Sequence, residues 1–257
     1  MGQLIVGNWK MNGTRTSGMT LASAVRSANP DCDVVLCPPA TLLGRVFEML
    51  AGSAAEVGGQ DCHAEGSGAH TGDVSAGMLR DTGAKWVITG HSERRADHSE
   101  NDAMVQAKTA AAVAAGLTPI VCVGETEAER LAGRHEAVVA GQLAGSLTAG
   151  FAGVVAYEPV WAIGTGLTPS EDDVAAMHAH IRAELRQMLG DTGAAMRILY
   201  GGSVKPGNAA ALLGLPEVGG ALVGGASLIA EDFLAITRAA RSDFTPTRQL
   251  PILRPGR

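Results

Sequence analysis

Short apolar runs alternate with polar loops and alanine-rich helical segments along almost the whole chain. Runs of this length, bounded by glycine or polar residues, are typical of buried parallel strands. Eight runs predict strands at residues 4–7, 34–37, 56–59, 86–89, 120–123, 154–157, 198–200 and 221–223. Between them, the clearest helical patterns cover residues 102–115, 127–147, 170–189 and 208–213. Ser170 with Asp173 predicts a capped helix start, and Gly116 and Gly190 lie where helices end.

Eight strands that alternate with helices predict an α/β fold, a (β/α)₈ TIM barrel with eight parallel strands inside a ring of helices. An open, doubly wound sheet is the alternative, but it favours a G-x-G-x-x-G motif after a strand, and no such motif is so placed. We expect residues 1–241 to form this single domain. Residues 242–257 contain three prolines and predict an extended tail, lying on the surface or, alternatively, contacting a partner subunit.

The composition of the 257-residue chain excludes several classes of binding partner. Its net charge is −6 and it shows no basic stripe, which argues against nucleic acid or an anionic membrane surface. No apolar run approaches the roughly 20 residues of a membrane span, and the N-terminus lacks the basic region of a signal peptide. Four cysteines without a C-x-x-C pair indicate reduced thiols, so we expect a cytoplasmic protein: Cys32, Cys37, Cys62 and Cys122.

The stretch 156–166 carries the strongest chemical signal. Glu158 directly follows a strand that should be buried, and burial is expected to raise its pKa and make it a better base near neutral pH. Pro159 ends the strand, and the apolar, glycine-containing residues after it suit a hinged loop that closes over a ligand. A buried glutamate paired with an arginine, followed by an ordinary loop, explains the same residues equally well.

Four further motifs follow predicted strands, in the segments 8–12, 90–95, 200–204 and 222–226. Their sequences are NWKMN, GHSERR, YGGSV and LVGGA, and the stretch around Glu158 reads YEPVWAIGTG. In this order, from about residue 4 to residue 241, they resemble the triosephosphate isomerase family. That resemblance implies a glycolytic and gluconeogenic isomerase that needs no cofactor.

The resemblance assigns the catalytic roles. Glu158 is implied as the base, His91 as the group that acts on the substrate oxygens, and Lys10 as the cation near the developing charge, with Asn8 beside it. His91 precedes a predicted helix start, whose positive potential disfavours the imidazolium form. A neutral His91 is implied by the family.

Two glycine-rich loops follow the last two strands. Backbone N–H groups in such loops bind phosphate, and in a barrel two successive loops of this kind indicate a phosphate site. We expect Ser203, Gly224 and Gly225 to bind the substrate, and Gly164 to join them from the loop after Glu158.

Other polar residues are expected to support the site or the fold. Glu93 should contact Lys10, and Cys122 should pack near Glu158 without acting as a nucleophile, since no histidine partner is evident. Arg94 and Arg95 are interpreted as structural ion-pair formers. The acidic series Glu125, Glu127 and Glu129 is interpreted as loop and helix-start acids.

No metal site is expected. The sequence contains no H-x-x-x-H and no grouped set of carboxylates. His178 and His180 lie two apart on a predicted helix and do not face each other, so we interpret them, with His135, as core or surface residues.

The glycine-rich loop 66–73 is long for a connector. It resembles the family's projecting loop, which implies a homodimer with Thr71, Asn12 and Gln60 near the contact; a flexible surface loop is the alternative. One departure from the family is Gly219, where an aspartate is usual.

We therefore expect an isomerase of triose phosphates that interconverts D-glyceraldehyde 3-phosphate and dihydroxyacetone phosphate. An isomerase of a four-carbon ketose phosphate would keep the same motifs. A phosphate-binding barrel without catalysis is a third possibility, although it would need neither Glu158 nor His91.

Overall fold

The structure, a computed structural model, describes residues 2–163 and 169–246. Eight parallel strands close into a barrel in chain order, so the predicted fold is confirmed. The strands are β1 Leu4–Asn8, β2 Asp33–Cys37, β3 Glu56–Gly59, β4 Trp86–Thr89, β5 Thr118–Val123, β6 Val154–Tyr157, β7 Ile198–Tyr200 and β8 Gly220–Val223. Each lies within two residues of its predicted bounds.

The helices surround the barrel. They are α1 Arg15–Ala28, α2 Leu43–Met49, α3 Ala76–Asp81, α4 Ser92–Asp97, α5 Asp102–Ala114, α6 Glu127–Leu131, α7 His135–Ser146, α8 Glu171–Leu189, α9 Asp191–Ala195, α10 Pro206–Gly214 and α11 Ala230–Ala239. The Ser170–Asp173 capping box at the start of α8 is present. The helix predicted over 127–147 is wrong, because Gly133 takes a φ of 67° and separates α6 from α7.

Alternate strand residues point to two different cores. One side of each strand fills the barrel interior, where Leu4, Val6, Ile120 and Leu222 belong to one buried cluster. The other side packs against the helices in a larger cluster. Because both faces are buried, the strands appear in the sequence as continuous apolar runs.

Gln3 joins the beginning of the barrel to its end. The side chain is fully buried, and its amide nitrogen donates to the carbonyl oxygens of Leu213 and Val218, each at 2.8 Å. Its side-chain oxygen accepts from the backbone N–H of Arg241 at 2.8 Å. Both N–H groups and the oxygen of the buried Gln3 amide therefore have hydrogen-bond partners.

The segment after α11 remains on the barrel as far as it is described. Phe244 is buried, and the Arg241 guanidinium lies 5.7 Å from the centre of its ring. The rest of the predicted tail, residues 247–257, lies outside the described residues.

Gly219 lies beside Arg197 at the entry to β8. A Cβ atom on Gly219 would lie 3.2 Å from the Cα and Cβ atoms of Arg197. The Arg197 guanidinium pairs instead with Asp33, at 2.6 Å. Arg197 therefore has a carboxylate partner although residue 219 is a glycine.

Candidate active site

A cavity of about 510 Å³ opens at the carboxyl ends of the barrel strands. Its lining includes Asn8, Lys10, His91, Glu93, Glu158, Ser203, Gly224 and Gly225. These residues come from the loops after β1, β4, β6, β7 and β8. Functional side chains of (β/α)₈ barrels collect at this face, because every strand delivers its following loop there.

Glu158 follows the last residue of β6 and is only 2 % exposed. Its backbone N–H donates to the carbonyl of Val123 at 2.8 Å, which fixes the side chain at the barrel mouth. The carboxylate accepts hydrogen bonds from the backbone N–H of Ser92 at 2.9 Å and lies 2.9 Å from Nε2 of His91. The glutamate is paired with a histidine, and not with the arginine that the alternative interpretation required.

The tautomer of His91 follows from its neighbours. His91 caps α4, and its Nδ1 accepts the backbone N–H of Glu93 at 3.2 Å. A neutral imidazole has one donor and one acceptor nitrogen, so Nε2 carries the proton. The donor therefore faces Glu158 and the cavity.

The pKa directions expected for this pair are both wrong. Burial alone would raise the pKa of Glu158. The adjacent His91, the Ser92 N–H and the Cys122 thiol together lower it by more than burial raises it, so the pKa of the carboxyl lies below its usual value. Burial lowers the pKa of His91, but the charge and hydrogen bond of Glu158 raise it by more. Burial and the helix terminus alone would give the expected directions, but the contact between His91 and Glu158 acts in the opposite direction on both pKa values.

Close packing of glycines supports the position of Glu158. A Cβ atom on Gly124 would lie 1.7 Å from the carbonyl oxygen of Glu158, and one on Gly201 would lie 2.8 Å from its Cγ. Real Cβ atoms do not approach other atoms this closely, so larger residues at either position would displace Glu158.

Cys122 is fully buried on β5 and interacts with Glu158 through its thiol. Burial raises the pKa of the thiol well above its usual value, and the negative charge of Glu158 raises it further. Cys122 therefore remains a protonated donor to the carboxylate and is not suited to nucleophilic attack.

Lys10 follows β1 with a positive φ of 52°, an uncommon conformation for a residue with a side chain. Its backbone is held by the side chains of Asn8, which accepts its N–H at 3.0 Å, and Gln60, which donates to its carbonyl at 2.8 Å. Its ammonium lies 2.6 Å from Oε1 of Glu93, the contact expected from the sequence. The ammonium reaches the cavity beside Gly224, whose added Cβ would lie 3.3 Å from Cε of Lys10.

The expected phosphate loops face the same cavity. Asn208 holds the loop after β7, because it donates to the carbonyl of Ser203 at 3.0 Å and accepts the N–H of Lys205 at 2.8 Å. In the described part of the chain, the backbone N–H groups of Ser203 and Gly225 have no hydrogen-bond acceptor. They are therefore free to bind an anion. Gly164 lies outside the described residues.

Glu125 lies in the loop between β5 and α6, as expected, and it has contacts there that the sequence did not reveal. It is fully buried and its Oε1 accepts hydrogen bonds from Trp161 Nε1 at 2.9 Å, from the Tyr157 hydroxyl at 3.1 Å and from Arg130 at 3.1 Å. The carboxylate therefore ties the residues on both sides of Glu158 to the loop after β5. Glu129 does start a helix, as expected, in a capping box with Thr126.

Arg94 and Arg95 form ion pairs, as expected. Arg94 lies 2.6 Å from Glu100, and Arg95 lies 2.6 Å from Asp102. Glu100 also pairs with Lys108 in a largely buried group. This group lines a second cavity, of about 570 Å³, on the side of the barrel where loop 66–73 projects.

Thr71 and Asn12 are both exposed. Asn12 donates to the carbonyl of Trp9 at 2.9 Å, which fixes the loop after β1. Met11, next to it, is 95 % exposed.

The fold also assembles a group that the sequence did not reveal. One potential metal-ligating atom from each of His63, His70 and Asp73 lies within 4.8 Å of the others. Nδ1 of His63 accepts the N–H of Glu65 at 3.0 Å, which places the proton of the neutral ring on Nε2, facing Asp73. In this tautomer His63 offers no lone pair to a cation.

A buried carboxylate in contact with an imidazole, next to a lysine and two glycine-containing loops at the carboxyl ends of the strands, places the chain in the class of (β/α)₈-barrel enzymes. The family model described as triosephosphate isomerase matches residues 3–240. The chain belongs to the triosephosphate isomerase family.

Individual relatives agree with this assignment. The chain is 60 % identical to the triosephosphate isomerase of Acidiphilium cryptum, across 95 % of this chain and 100 % of that protein. It is also 60 % identical to that of Granulibacter bethesdensis, across 93 % and 100 %. The crystal structure of triosephosphate isomerase from Bartonella henselae superposes with a TM-score of 0.88, at 46 % identity, over 93 % of this chain and 99 % of that one.

None of the described helices combines the length and the hydropathy that a membrane span requires.

Proposed function

We propose that the chain interconverts D-glyceraldehyde 3-phosphate and dihydroxyacetone phosphate, with Glu158 as the base, His91 as the acid and Lys10 as the cation beside the developing charge. The observation that carries these roles is the contact between His91 Nε2 and Glu158 Oε1 at 2.9 Å, on the wall of the 510 Å³ cavity. Family membership and 60 % identity to proteins named for this reaction support the activity.

The chemistry needs one proton moved between neighbouring carbons. The Glu158 carboxylate takes the proton from the carbon next to the carbonyl, while Nε2–H of His91 donates to the carbonyl oxygen. The resulting enediolate is stabilised by the nearby Lys10 ammonium. Glu158 then returns the proton to the adjacent carbon, and protons on the two oxygens exchange through His91.

The substrate would have to come between His91 and Glu158. Once separated from the imidazole, the carboxylate keeps the effect of burial and loses its strongest partner, so its pKa rises. The contact between the two residues therefore holds the base ionised until the substrate arrives, and its loss makes the carboxylate more basic when the proton is to be taken.

The phosphate end of the substrate would bind at the loops after β7 and β8. The free N–H groups of Ser203 and Gly225 supply donors there, Gly224 lies beside them on the cavity wall, and Asn8 lines the same cavity at the end of β1. Oriented backbone donors of this kind bind phosphate without a bulky side chain. We retain Gly164 as a further donor.

A direct test is the turnover of D-glyceraldehyde 3-phosphate by the wild-type chain, by Glu158→Gln and by Glu158→Asp. The amide cannot accept the proton, so we expect a loss of about 10²–10⁴-fold in kcat. The aspartate withdraws the carboxylate by about 1 Å, and a loss on the order of 10²-fold is expected. Glu127→Gln, an exposed residue on α6, is the matched control and should remain as active as the wild type.

Unchanged turnover in Glu158→Gln would refute the assignment of the base. Erythrulose phosphates tested in parallel would identify a four-carbon isomerase, if they were turned over faster than the triose phosphates. Binding of phosphate analogues without turnover of either substrate would indicate a binding barrel.

We further propose a homodimer in which loop 66–73, with Thr71, enters the 570 Å³ cavity of the partner. That cavity is lined by Lys10, Gln60 and exposed Met104, and it lies beside exposed Met11. Asn12 would lie near the contact. Since Lys10 lines both cavities, the partner would help to fix a catalytic residue.

The remaining proposals concern organisation and location. We regard residues 1–241 as one domain followed by a tail from 242 to 257, and the protein as cytoplasmic. Four buried thiols support a reducing compartment.

A further inference from the structure

Lys205 is a cation on the active-site cavity that no catalytic role uses. It precedes α10 and lines the cavity together with Ser203 and Gly225. Its side chain is exposed, and among the described residues its ammonium forms no ion pair and no hydrogen bond. A lysine without a protein partner at a cavity rim remains available to a charged ligand.

The backbone of Lys205 is rigidly held. Asn208 binds the loop at two points, accepting the N–H of Lys205 at 2.8 Å and donating to the carbonyl of Ser203 at 3.0 Å. In addition, the Lys205 carbonyl accepts the N–H of Asn208 at 3.1 Å and of Ala209 at 3.0 Å. The ammonium therefore extends from a fixed point next to the expected phosphate donors.

Lys205 differs from the other charged residues on the cavity wall. Three carboxylates line the cavity, those of Glu93, Glu158 and Asp232, and the chain as a whole carries a net charge of −6. Lys10 is engaged with Glu93 at 2.6 Å. Of the two lysines that line the cavity, Lys205 is the one whose ammonium has no carboxylate partner among the described residues.

We propose that Lys205 is a specificity-determining residue that attracts the dianionic phosphate of the substrate and favours phosphorylated over unphosphorylated sugars. This inference rests on the proposed function. A positive charge at the rim of a cavity that also contains three carboxylates raises the rate of productive encounter with a dianion. The effect is electrostatic and acts through water, so salt weakens it.

The experiment compares Lys205→Ala and Lys205→Arg with the wild type in steady-state kinetics at low and high ionic strength. Arg238→Ala is the control, because it removes the same charge from an exposed position on α11 that does not line the cavity. At low ionic strength we expect Lys205→Ala to lower kcat/KM for glyceraldehyde 3-phosphate about 3–10-fold, mainly through KM. The loss should shrink below about 2-fold in 0.5 M salt, where the screening length is only a few ångströms.

Two further readouts separate an electrostatic role from a structural one. Lys205→Arg, which keeps the charge, should recover most of the lost kcat/KM. The ratio of kcat/KM for glyceraldehyde 3-phosphate to that for unphosphorylated glyceraldehyde should fall in Lys205→Ala, and inorganic phosphate should inhibit that variant more weakly.

The inference fails if Lys205→Ala and Arg238→Ala lose the same activity, if the loss does not depend on salt, or if both sugars are affected equally. These outcomes are distinct from failure of the proposed function. That failure would appear in the wild type, as an absence of triose-phosphate turnover.

Discussion

Nε2 of His91 lies 2.9 Å from Oε1 of Glu158, and both side chains are almost completely buried. Each group changes the pKa of the other, since a carboxylate favours imidazolium and a donor imidazole favours carboxylate. The proposed acid, His91, and the proposed base, Glu158, therefore form one titrating unit.

Removing His91 should reveal how strongly burial acts on Glu158. In His91→Gln the cause that most lowers the carboxyl pKa is lost, and burial, which raises it, prevails. We expect the acidic limb of the kcat/KM profile to move to higher pH, with a drop in rate of about 10²–10⁴-fold. The pH dependence of kcat/KM measures this shift, with His180→Gln as the control. An acidic limb that does not move would show that the contact has no effect on the base.

Gly124→Ala should damage both stability and activity. The new methyl group would lie 1.7 Å from the carbonyl oxygen of Glu158, so the backbone of the catalytic residue must shift. We expect a loss of about 1–3 kcal/mol in the free energy of unfolding, together with a lower kcat. Urea denaturation and steady-state kinetics provide the measurements.

Gly141→Ala is the control for this variant. Gly141 is exposed on α7, and an added Cβ would meet nothing within 4 Å. Alanine there should stabilise the helix by about 0.5–1 kcal/mol without changing kcat. Equal effects of the two variants would contradict the steric explanation.

His178 should make the folded chain sensitive to acid. It is fully buried on α8, and burial lowers its pKa from 6.5 to about 4. Between these values the unfolded chain binds a proton that the folded chain does not, so stability falls as pH decreases from about 6.5 towards 4. The full difference is on the order of 3 kcal/mol.

The measurement is the free energy of unfolding of wild type and His178→Gln at pH 7 and pH 5. The variant should lose less stability between these two values than the wild type does. His180→Gln, a more exposed histidine on the same helix, should retain the wild-type slope. An unchanged slope in His178→Gln would rule out this histidine as the cause.

Thr71→Arg should weaken the proposed dimer. An arginine at position 71 would bring a much larger side chain, whose charge would have to be desolvated, into a cavity shaped for the threonine. We expect light scattering at micromolar concentration to report a smaller mass for Thr71→Arg than for the wild type. Gln187→Arg, on the exposed surface of α8, adds the same side chain and should keep the wild-type mass. A wild-type mass in both variants would refute the proposed contact.

The sequence predicted the strands well, because both faces of each strand are buried and the runs are continuously apolar. The resemblance predicted both Glu158 and His91 as site residues, but not their pKa directions, which depend on a contact between residues 67 positions apart. The burial and hydrogen bonds of Glu125 were missed for a related reason. An acid after a strand looks the same whether it faces water or accepts three hydrogen bonds, and only the fold brings Trp161 and Arg130 to it.

The helix start at Ser92 was predicted, but two other short helices were not. α3 and α9 have six and five residues, too few to show a hydrophobic period. At α3 the Ser75 hydroxyl accepts the N–H of Met78, a cap that stabilises the helix start.

The pairing of β1 with β8 means that the barrel can close only late in synthesis of the chain. Leu4 has its second neighbour in Gly220, and buried Gln3 has its partners in Leu213, Val218 and Arg241. During translation, the edge of β1 that pairs with β8 therefore stays unpaired until nearly all of the chain has left the ribosome. A chain truncated before Arg241 would leave the buried side-chain oxygen of Gln3, the residue before β1, without its hydrogen-bond donor, and the resulting instability would favour degradation by cellular proteases.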